Sequence, residues 1–179
     1  MYINKTYNIY IHRMKLNMIV AICNNRGIGK LNSLPWHFKK DLRYFAQKTK
    51  GLVFNTNAII MGKNTWLSFP GVLPDRENLI ISRSLVGENI FSSPEECISY
   101  CEQKRFDNIW IIGGQTMYEH FLTHTLLKSI YITKINYDYN CDTFFPELPE
   151  SFELTSTKFD IEDNIKLDFD VYEKTTENR

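Results

Sequence analysis

The chain has 179 residues, of which 43% are hydrophobic and 23% are charged, a length and composition suited to one domain with a buried core. Its formal net charge is zero, which argues against the broad basic surface that binds nucleic acid. We find no apolar run long enough to span a bilayer and no secretory h-region. We therefore expect neither a nucleic-acid partner nor a membrane partner, and we expect a monomer.

The cysteines indicate a reducing environment. Cys23, Cys97, Cys101 and Cys141 form no Cys-x-x-Cys pair and have no histidines at metal-binding spacing. Cys97 and Cys101 would share one face of a helix, which favours two buried thiols over a disulfide. We therefore expect a cytoplasmic protein without a metal site.

Residues 1–16 precede the first strongly apolar run and contain no acidic residue. A basic, acid-poor start is typical of organelle transit peptides, but this one lacks the Arg and Ser enrichment of that class. The alternation of Tyr7, Ile9 and Ile11 favours a disordered tail or an edge strand instead. We assign residues 17–179 to one domain.

Apolar runs alternate with helix-like segments along most of this domain. Strands are predicted at 18–23, 57–61, 78–82, 109–112 and 129–135, and helices after Pro35, from Gly62, from Ser93 and near Thr116. Fully apolar strands separated by helices predict an α/β fold, with a mostly parallel twisted sheet flanked by helices.

The C-terminal part has a different pattern. Residues 151–160 and 165–174 are strand-like, and Leu167, Phe169 and Val171 alternate strictly in the second. The residues between them favour a turn. We therefore predict a closing antiparallel hairpin.

Three predicted strands end in residues suited to binding phosphate. The three ends are Gly62-Lys63-Asn64-Thr65, Ser82-Arg83-Ser84 and Gly113-Gly114. Ligands of open α/β sheets bind beyond the carboxyl ends of strands, where glycines and helix N-termini accommodate anions. Each end alone could be a packing turn or a surface charge. Together they indicate a phosphorylated dinucleotide, and the arginine suits the 2′-phosphate of NADPH.

One acidic residue stands out in the stretch LPWHFKKDLRYF. If the helix opens just after Pro35, Phe38, Leu42 and Phe45 form an apolar face, and Asp41 lies on it. Such a carboxylate is costly unless something pairs with it. Three interpretations stay open: a helix acid turned outward by Arg43 or Lys40, a capping acid if the helix begins at a different residue, or a carboxylate that holds the cationic or amidine-like nitrogen pair of a ligand.

Five blocks, in order, resemble dihydrofolate reductase from about Asn17 to Lys174. They are MIVAICNNRGIGKLNSLPWHFKKDLRYF, IIMGKNTWLSFP, LPDRENLIISRS, WIIGGQTMY and CDTFFP followed by the hairpin. The resemblance implies an NADPH-dependent enzyme that transfers a hydride to C6 of dihydrofolate and gives tetrahydrofolate for one-carbon metabolism and thymidylate synthesis. It also implies that antifolates bind.

The resemblance gives each catalytic candidate a role. Asp41 would bind N3 and the 2-amino group of the pterin, and Thr133 would hydrogen-bond with that carboxylate or amino group. Trp36 would contact the pterin through an ordered water. The segment Gly27 to Ser33 would form a lid over the nicotinamide, with its glycines as hinges.

The remaining implied residues fall into two groups. Arg76 would hold the α-carboxylate of the glutamate tail, and the Gly113–Gly114 peptide would be cis. Further substrate-binding residues are Ile19, Val20, Ala21, Leu42, Phe45, Phe69, Leu73, Ile112 and Tyr118. The cofactor-binding residues are Ala21, Ile28, Gly29, Gly62, Lys63, Asn64, Thr65, Ser82, Arg83, Ser84, Gly113, Gly114, Gln115, Thr116, Met117 and Tyr118.

Three alternative functions agree less well with these residues. A reductase of riboflavin synthesis shares the fold and NADPH, but Asp41 and Arg76 argue against it. A decayed folate-binding or nucleotide-binding module is disfavoured because Asp41, Trp36 and Thr133 are all present. The printed chain ends after the hairpin, so we expect a free-standing reductase and not half of a fusion with thymidylate synthase.

Overall fold

The computed structural model describes residues 14–51 and 56–175. The predicted edge strand around Ile9 lies outside these residues. The strands are β1 (Leu16–Cys23), β2 (Gly27–Gly29), β3 (Asn57–Gly62), β4 (Glu77–Ile81), β5 (Ile90–Phe91), β6 (Asn108–Gly113), β7 (Leu127–Ile135), β8 (Thr143–Phe144), β9 (Phe152–Glu162) and β10 (Ile165–Lys174). The helices are α1 (Lys39–Thr49), α2 (Lys63–Ser68), α3 (Pro94–Lys104) and α4 (Gln115–Leu122).

Eight of these strands form one sheet in the order β5-β4-β3-β6-β1-β7-β10-β9. The strands from β5 to β7 pair in parallel, whereas β10 runs antiparallel to both β7 and β9. Strands β2 and β8 form a separate antiparallel pair. The predicted α/β fold, with its mostly parallel sheet and closing hairpin, is confirmed. No helix in the described part of the chain is long and apolar enough to cross a membrane.

Helices cover both faces of the sheet because neighbouring strand residues point to opposite sides. On one face, α3 and α4 pack on side chains such as Val20 and Ile60. On the other face, α1 and α2 cover Ile19 and Ile59. The parallel strands therefore present the continuous apolar runs expected of a sheet buried on both sides.

Helix α3 has the predicted start, with Ser93 as its N-cap and Pro94 as its first residue. The Ser93 hydroxyl accepts a hydrogen bond of 3.2 Å from the backbone N–H of Glu96. Cys97 and Cys101 are fully buried, free thiols on the inner side of this helix. The prediction of two buried thiols is confirmed.

Helix α1 begins at Lys39, so the predicted start just after Pro35 was wrong. Phe38 is extended, with φ −111° and ψ 119°, and its side chain packs in a cluster with Trp36. Helical spacing therefore does not apply to Phe38, and the predicted common face is not formed. Leu42 is 42% exposed.

The C-terminal hairpin turns at Asp163 and Asn164, which have φ values of 51° and 60°. Asp and Asn adopt this left-handed conformation more readily than most residues, and two successive positive φ values suit a tight hairpin. The turn is therefore encoded locally. It projects the end of β9 toward the start of α1, where Glu162 accepts hydrogen bonds.

Candidate active site

Asp41 lies in the first turn of α1, where it is 9% exposed. The hydroxyl of Thr133, a buried residue of β7, hydrogen-bonds with its carboxylate. Burial raises the pKa of Asp41, the Thr133 hydrogen bond opposes that rise, and the negative charge of Glu162 adds to it. The environment thus orients Asp41 but leaves its charge uncompensated.

The basic neighbours of Asp41 do not turn it outward. No lysine or arginine in the described part of the chain forms an ion pair with Asp41. Lys40 contacts Asp160 instead, and Arg43 is exposed. The interpretation as an outward-turned surface acid is therefore wrong. A buried carboxylate with spare acceptor capacity suits a ligand that presents paired N–H donors.

Tyr118 joins the strand ends beside this carboxylate. Its hydroxyl donates a 3.0 Å hydrogen bond to the carbonyl of Ile19 in β1. Burial raises the pKa of Tyr118 and the charge of Asp41 adds to the rise, so the phenol stays a neutral donor. Gly113 fits against this ring: its φ is +117°, and a Cβ there would lie 3.1 Å from the Tyr118 hydroxyl. The Gly113–Gly114 peptide is cis, as the resemblance implied.

Trp36 packs in one cluster with Ala21, the residue of β1 that pairs with Thr133. The side chain is buried, and its ring centroid lies 5.1 Å from that of Tyr139. Its indole Nε1 meets no hydrogen-bond partner among the described residues. A buried N–H group without a partner is costly, so this donor suits a water or ligand acceptor.

Arg76 lies just before β4 and is 5% exposed. Its Nε donates to the carbonyl of Pro74 at 2.8 Å, and a terminal nitrogen donates to the hydroxyl of Thr49. The guanidinium carbon lies 5.9 Å from the centroid of Phe45, and burial lowers the pKa of Arg76. No carboxylate of the described residues lies within ion-pair distance. This fixed, unpaired cation suits an anionic ligand group.

An apolar wall connects the two charged ends of the site. Phe45, Phe69 and Leu73 pack against the same cluster as Ile19 and Ile112. The exposed Leu42 lies next to Asp41 but in none of the apolar clusters. The side chain of Val20 packs on the opposite face of the sheet, so only its backbone is available on this side. Ala21 pairs with Thr133 across β1 and β7.

The three phosphate-type strand ends are brought together, because β4, β3 and β6 are adjacent in the sheet. Lys63 Nζ donates to the Ser84 hydroxyl at 2.8 Å, which links two of these ends. The Ser82 hydroxyl accepts hydrogen bonds from the backbone of Ser84 and Leu85, so it shapes the turn. Arg83 is exposed beside this turn.

The backbone at Gly62 and Gly114 comes close to its neighbours at the same edge of the sheet. A Cβ on Gly114 would lie 3.2 Å from the Thr65 hydroxyl, and one on Gly62 would lie 3.9 Å from the Gly114 nitrogen. Cationic side chains, hydroxyls and unobstructed backbone fit the phosphates of NADPH. We conclude that the residues present fit this cofactor.

Four other predicted cofactor-binding residues differ in exposure and in the hydrogen bonds that their side chains already make. Asn64 and Thr116 are exposed, whereas Met117 is buried in the core. The amide of Gln115 is already engaged, since it accepts from the Phe144 N–H at 3.0 Å and donates to Glu119 at 2.8 Å. Of these four residues, Asn64 and Thr116 present exposed polar side chains.

The predicted lid packs closely against β8. A Cβ on Gly27 would lie 2.4 Å from Cys141 Sγ, and one on Gly29 would lie 2.9 Å from the Thr143 hydroxyl. The Leu31 N–H donates to Asp142 at 2.8 Å. These contacts give both glycines a packing role, and Ile28 packs against the core. Closure of this segment over a ligand stays a prediction.

Sequence reasoning missed several residues at this site. Thr49 positions Arg76, and Glu162 reaches the start of α1. Cys141 approaches Cys23, with 3.8 Å between the two sulfur atoms. Each partner is at least 27 positions away along the chain, so no local spacing could reveal these contacts.

A parallel sheet that gathers cations, hydroxyls and glycine backbone at adjacent strand ends defines a dinucleotide-binding class of enzyme. Comparison with known proteins narrows that class. Residues 15–174 match the family model described as dihydrofolate reductase. The chain therefore belongs to the dihydrofolate reductase family.

Relatives extend over nearly the whole chain. The dihydrofolate reductase of Drosophila melanogaster is 35% identical over 90% of this chain and 98% of its own length. That of Gallus gallus is 34% identical over 89% of this chain and 96% of its own. The viral dihydrofolate reductase of Saimiriine herpesvirus 2 (strain 488) is 36% identical, covering 89% of this chain and 84% of its own.

Family membership fixes the class of reaction. The chain is an oxidoreductase that uses NADPH to reduce dihydrofolate to tetrahydrofolate, and it binds dihydrofolate and antifolates. The predicted family, enzyme class and cofactor are confirmed. The alternative reductase of riboflavin synthesis is not supported.

Proposed function

We propose that Asp41, Thr133, Trp36 and Arg76 perform the substrate-directed part of this reaction. The observation that carries the proposal is the buried Asp41 carboxylate, which has a hydroxyl partner but no ion pair with any cation of residues 14–51 and 56–175. Its two oxygens match N3 and the 2-amino group of a pterin ring. Dihydrofolate would therefore enter with this edge of the pterin against α1.

Asp41 acts on the substrate by orientation and charge. Its carboxylate accepts the paired N–H donors, and Thr133 holds it in the geometry that does so. Because those donors lie on the edge of the ring away from N5, Asp41 does not donate a proton to N5 directly. The carboxylate instead stabilises positive charge that develops on the pterin during reduction.

NADPH, when bound, supplies the hydride that C6 of dihydrofolate receives. Lys63 and Arg83 would hold its phosphates from the ends of β3 and β4, together with the hydroxyls of Thr65 and Ser84. Trp36 and the lid would exclude bulk water from the ring, while the indole N–H holds an ordered water. Protonation at N5 then draws on water.

Arg76 would bind the far end of the substrate. Its unpaired guanidinium lies beside Phe45, so a ligand that crosses the apolar wall meets a cation there. The α-carboxylate of the glutamate tail is the matching group. The aminobenzoyl ring would contact Phe45, Phe69, Leu73 and the exposed Leu42.

The test is turnover of NADPH followed at 340 nm with dihydrofolate as substrate. We expect turnover that needs both compounds and that is much faster with NADPH than with NADH. A well-folded chain that binds both compounds without turnover would contradict the proposed roles.

Arg83 is expected to determine the preference for NADPH. Replacing Arg83 with Gln removes a cation that suits the 2′-phosphate, so we expect kcat/KM with NADPH to fall about tenfold. Values with NADH should stay the same, since NADH lacks that phosphate. Steady-state kinetics with both cofactors check this prediction, and equal losses with both would contradict it.

We also propose that the protein is a cytoplasmic monomer without a nucleic-acid partner. Support comes from the zero formal net charge and from four cysteines that are all free thiols. Size-exclusion chromatography with light scattering tests the oligomeric state. A dimer mass at micromolar concentration would contradict it.

A further inference from the structure

Helix α1 has no N-cap of its own. Phe38 stands at the N-cap position and offers no side-chain acceptor. The first N–H groups of a helix have no partner within the helix, and a neighbouring polar group normally accepts them. Helix α3, by contrast, uses the adjacent Ser93 for this purpose.

The missing acceptor comes from the far end of the chain. The backbone N–H of Lys39 donates a 2.9 Å hydrogen bond to Oε1 of Glu162, and that of Lys40 donates one of the same length to Oε2. Lys40 strengthens the junction, because its ammonium group contacts Asp160 and donates to the carbonyl of Ile161 at 2.8 Å. The end of β9 is thereby fixed to the first turn of α1.

We infer that Glu162 is a positioning residue for Asp41: it caps α1 from the C-terminal hairpin and holds the turn that presents the Asp41 carboxylate to the substrate. The inference rests on the role proposed above for Asp41. It assigns the hairpin tip a part in substrate binding that neither residue spacing nor the resemblance indicated.

The capping carboxylate acts on Asp41 in two ways. It fixes the backbone immediately before Asp41, which sets where that side chain points relative to Thr133. It also places a second negative charge nearby, and that charge raises the pKa of Asp41. Both actions depend on the position of Glu162 at the helix start, where the backbone N–H groups point outward.

Several other ionisable groups surround this junction. They are Lys39, Lys40, Arg43 and Tyr44 on α1, Tyr118 on α4, Tyr131 on β7, Asp160 on β9 and Asp170 on β10. Glu162 is the one acid among the described residues whose charge contributes to the raised pKa of Asp41.

The sign of the expected pH effect follows from these contacts. Removing the charge of Glu162 lowers the pKa of Asp41, since a neighbouring negative charge disfavours ionisation. The loss of Glu162 also leaves two N–H groups at the helix N-terminus without their acceptor. The positive end of the helix dipole is then less compensated, which lowers the pKa of Asp41 further. Both changes therefore shift the ionisation of Asp41 toward lower pH.

The experiment compares Glu162→Ala, Glu162→Gln and the control Glu153→Gln. Glu153 is an exposed acid near the opposite end of β9, nine residues from Glu162 and so roughly 30 Å away, well beyond the screening length. Dihydrofolate binding is measured across pH by quenching of tryptophan fluorescence, with steady-state kinetics and melting temperature for each variant. Asp41→Asn is measured in parallel. The pH-dependent step in dihydrofolate binding that disappears in this variant is the step caused by ionisation of Asp41.

We expect Glu162→Ala to raise the Kd and KM for dihydrofolate about three- to tenfold, the range of a lost helix cap. Glu162→Gln keeps one carbonyl acceptor, so it should recover part of that loss. In both variants the step assigned to Asp41 should move to lower pH, while the KM for NADPH stays the same. Glu153→Gln should match the native chain.

Three outcomes would overturn the inference. The first is an unchanged Kd and pH step in both Glu162 variants while Asp41→Asn abolishes the step. The second is an equal change in Glu153→Gln, and the third is a parallel loss of dihydrofolate and NADPH binding that follows the melting temperature. If Asp41→Asn itself leaves binding and the pH step intact, the proposed role of Asp41 fails, and the inference fails with it for that separate reason.

Discussion

Replacing Asp41 with Asn is expected to lower kcat/KM for dihydrofolate by about 10²–10⁴-fold, the range for a group that orients and stabilises charge in the reacting ring. The amide keeps the shape of the side chain but presents an N–H donor where the substrate presents donors of its own. NADPH binding should be unaffected, because its proposed site lies at the other strand ends. Kinetics at 340 nm and separate measurement of NADPH affinity check both parts.

The same replacement should stabilise the fold at neutral pH. Burial raises the pKa of Asp41 above its value in the unfolded chain, so the folded state binds that proton more tightly. Above both pKa values the carboxylate is charged in both states, and its burial opposes folding. We expect Asn at this position to raise the free energy of unfolding by roughly 0.5–2 kcal/mol at pH 7. The gain should disappear as the pH falls below the unfolded pKa.

Asp170 provides the matched control for this prediction. It is also a buried acid, at 4% exposure, but it pairs with Lys134 at 2.7 Å and accepts a hydrogen bond from Thr157. Replacing it with Asn breaks a compensated pair, so stability should fall while turnover is retained. Thermal unfolding of both variants at pH 7 gives the comparison. A melting temperature that falls for Asp41→Asn would contradict the stability prediction.

The fold was largely predictable because its signals are local. The predicted strand at 57–61 corresponds to Asn57–Gly62, and that at 109–112 to Asn108–Gly113. Each is a continuous run of apolar residues bounded by polar or glycine positions, a pattern that a fully buried parallel strand requires. Ser93 and Pro94 likewise mark the start of α3 through the chemistry of its own first turn.

The start of α1 could not be predicted in the same way. Phe38 continues the helical spacing, but its backbone is extended because its side chain packs with Trp36 in a separate cluster. The cap of the helix then comes from Glu162, which the chain places more than a hundred positions later. Such contacts depend on the sheet order, which places β10 beside β7 and β9 beside β10.

In the candidate site, too, some features follow from the local sequence and others depend on tertiary contacts. The sequence predicted that the strand ends with Lys63, Arg83 and Gly113 would lie together, and they do, since the carboxyl ends of neighbouring parallel strands meet at one edge. The residues around Asp41 in the sequence did not decide whether it is buried. The sequence also gave no indication that Arg76 contacts Thr49. Tertiary contacts decide whether a polar residue is a solvated surface charge or a ligand-binding group. The spacing of residues along the chain does not reveal these contacts.

Replacing Arg76 with Gln is expected to raise the KM for dihydrofolate by about 10- to 150-fold with little change in kcat, which corresponds to about 1.5–3 kcal/mol for a charge-assisted hydrogen bond. The effect should appear in KM because the glutamate tail is far from the reacting atoms and binds equally in the ground and transition states. Steady-state kinetics measure this separation directly.

The primary amide of dihydropteroate, which keeps the aminobenzoyl ring but has no carboxylate, distinguishes recognition of the carboxylate from a general disturbance of the site. Its KM should be the same for the native chain and for Arg76→Gln, since it has no carboxylate for the guanidinium to bind. Thr49→Val removes one hydrogen bond to Arg76 but keeps the cation, so it should raise the KM for dihydrofolate only a few-fold. An equal rise in KM for both substrates in Arg76→Gln would mean that Arg76 supports the apolar wall through Phe45 and does not bind the tail.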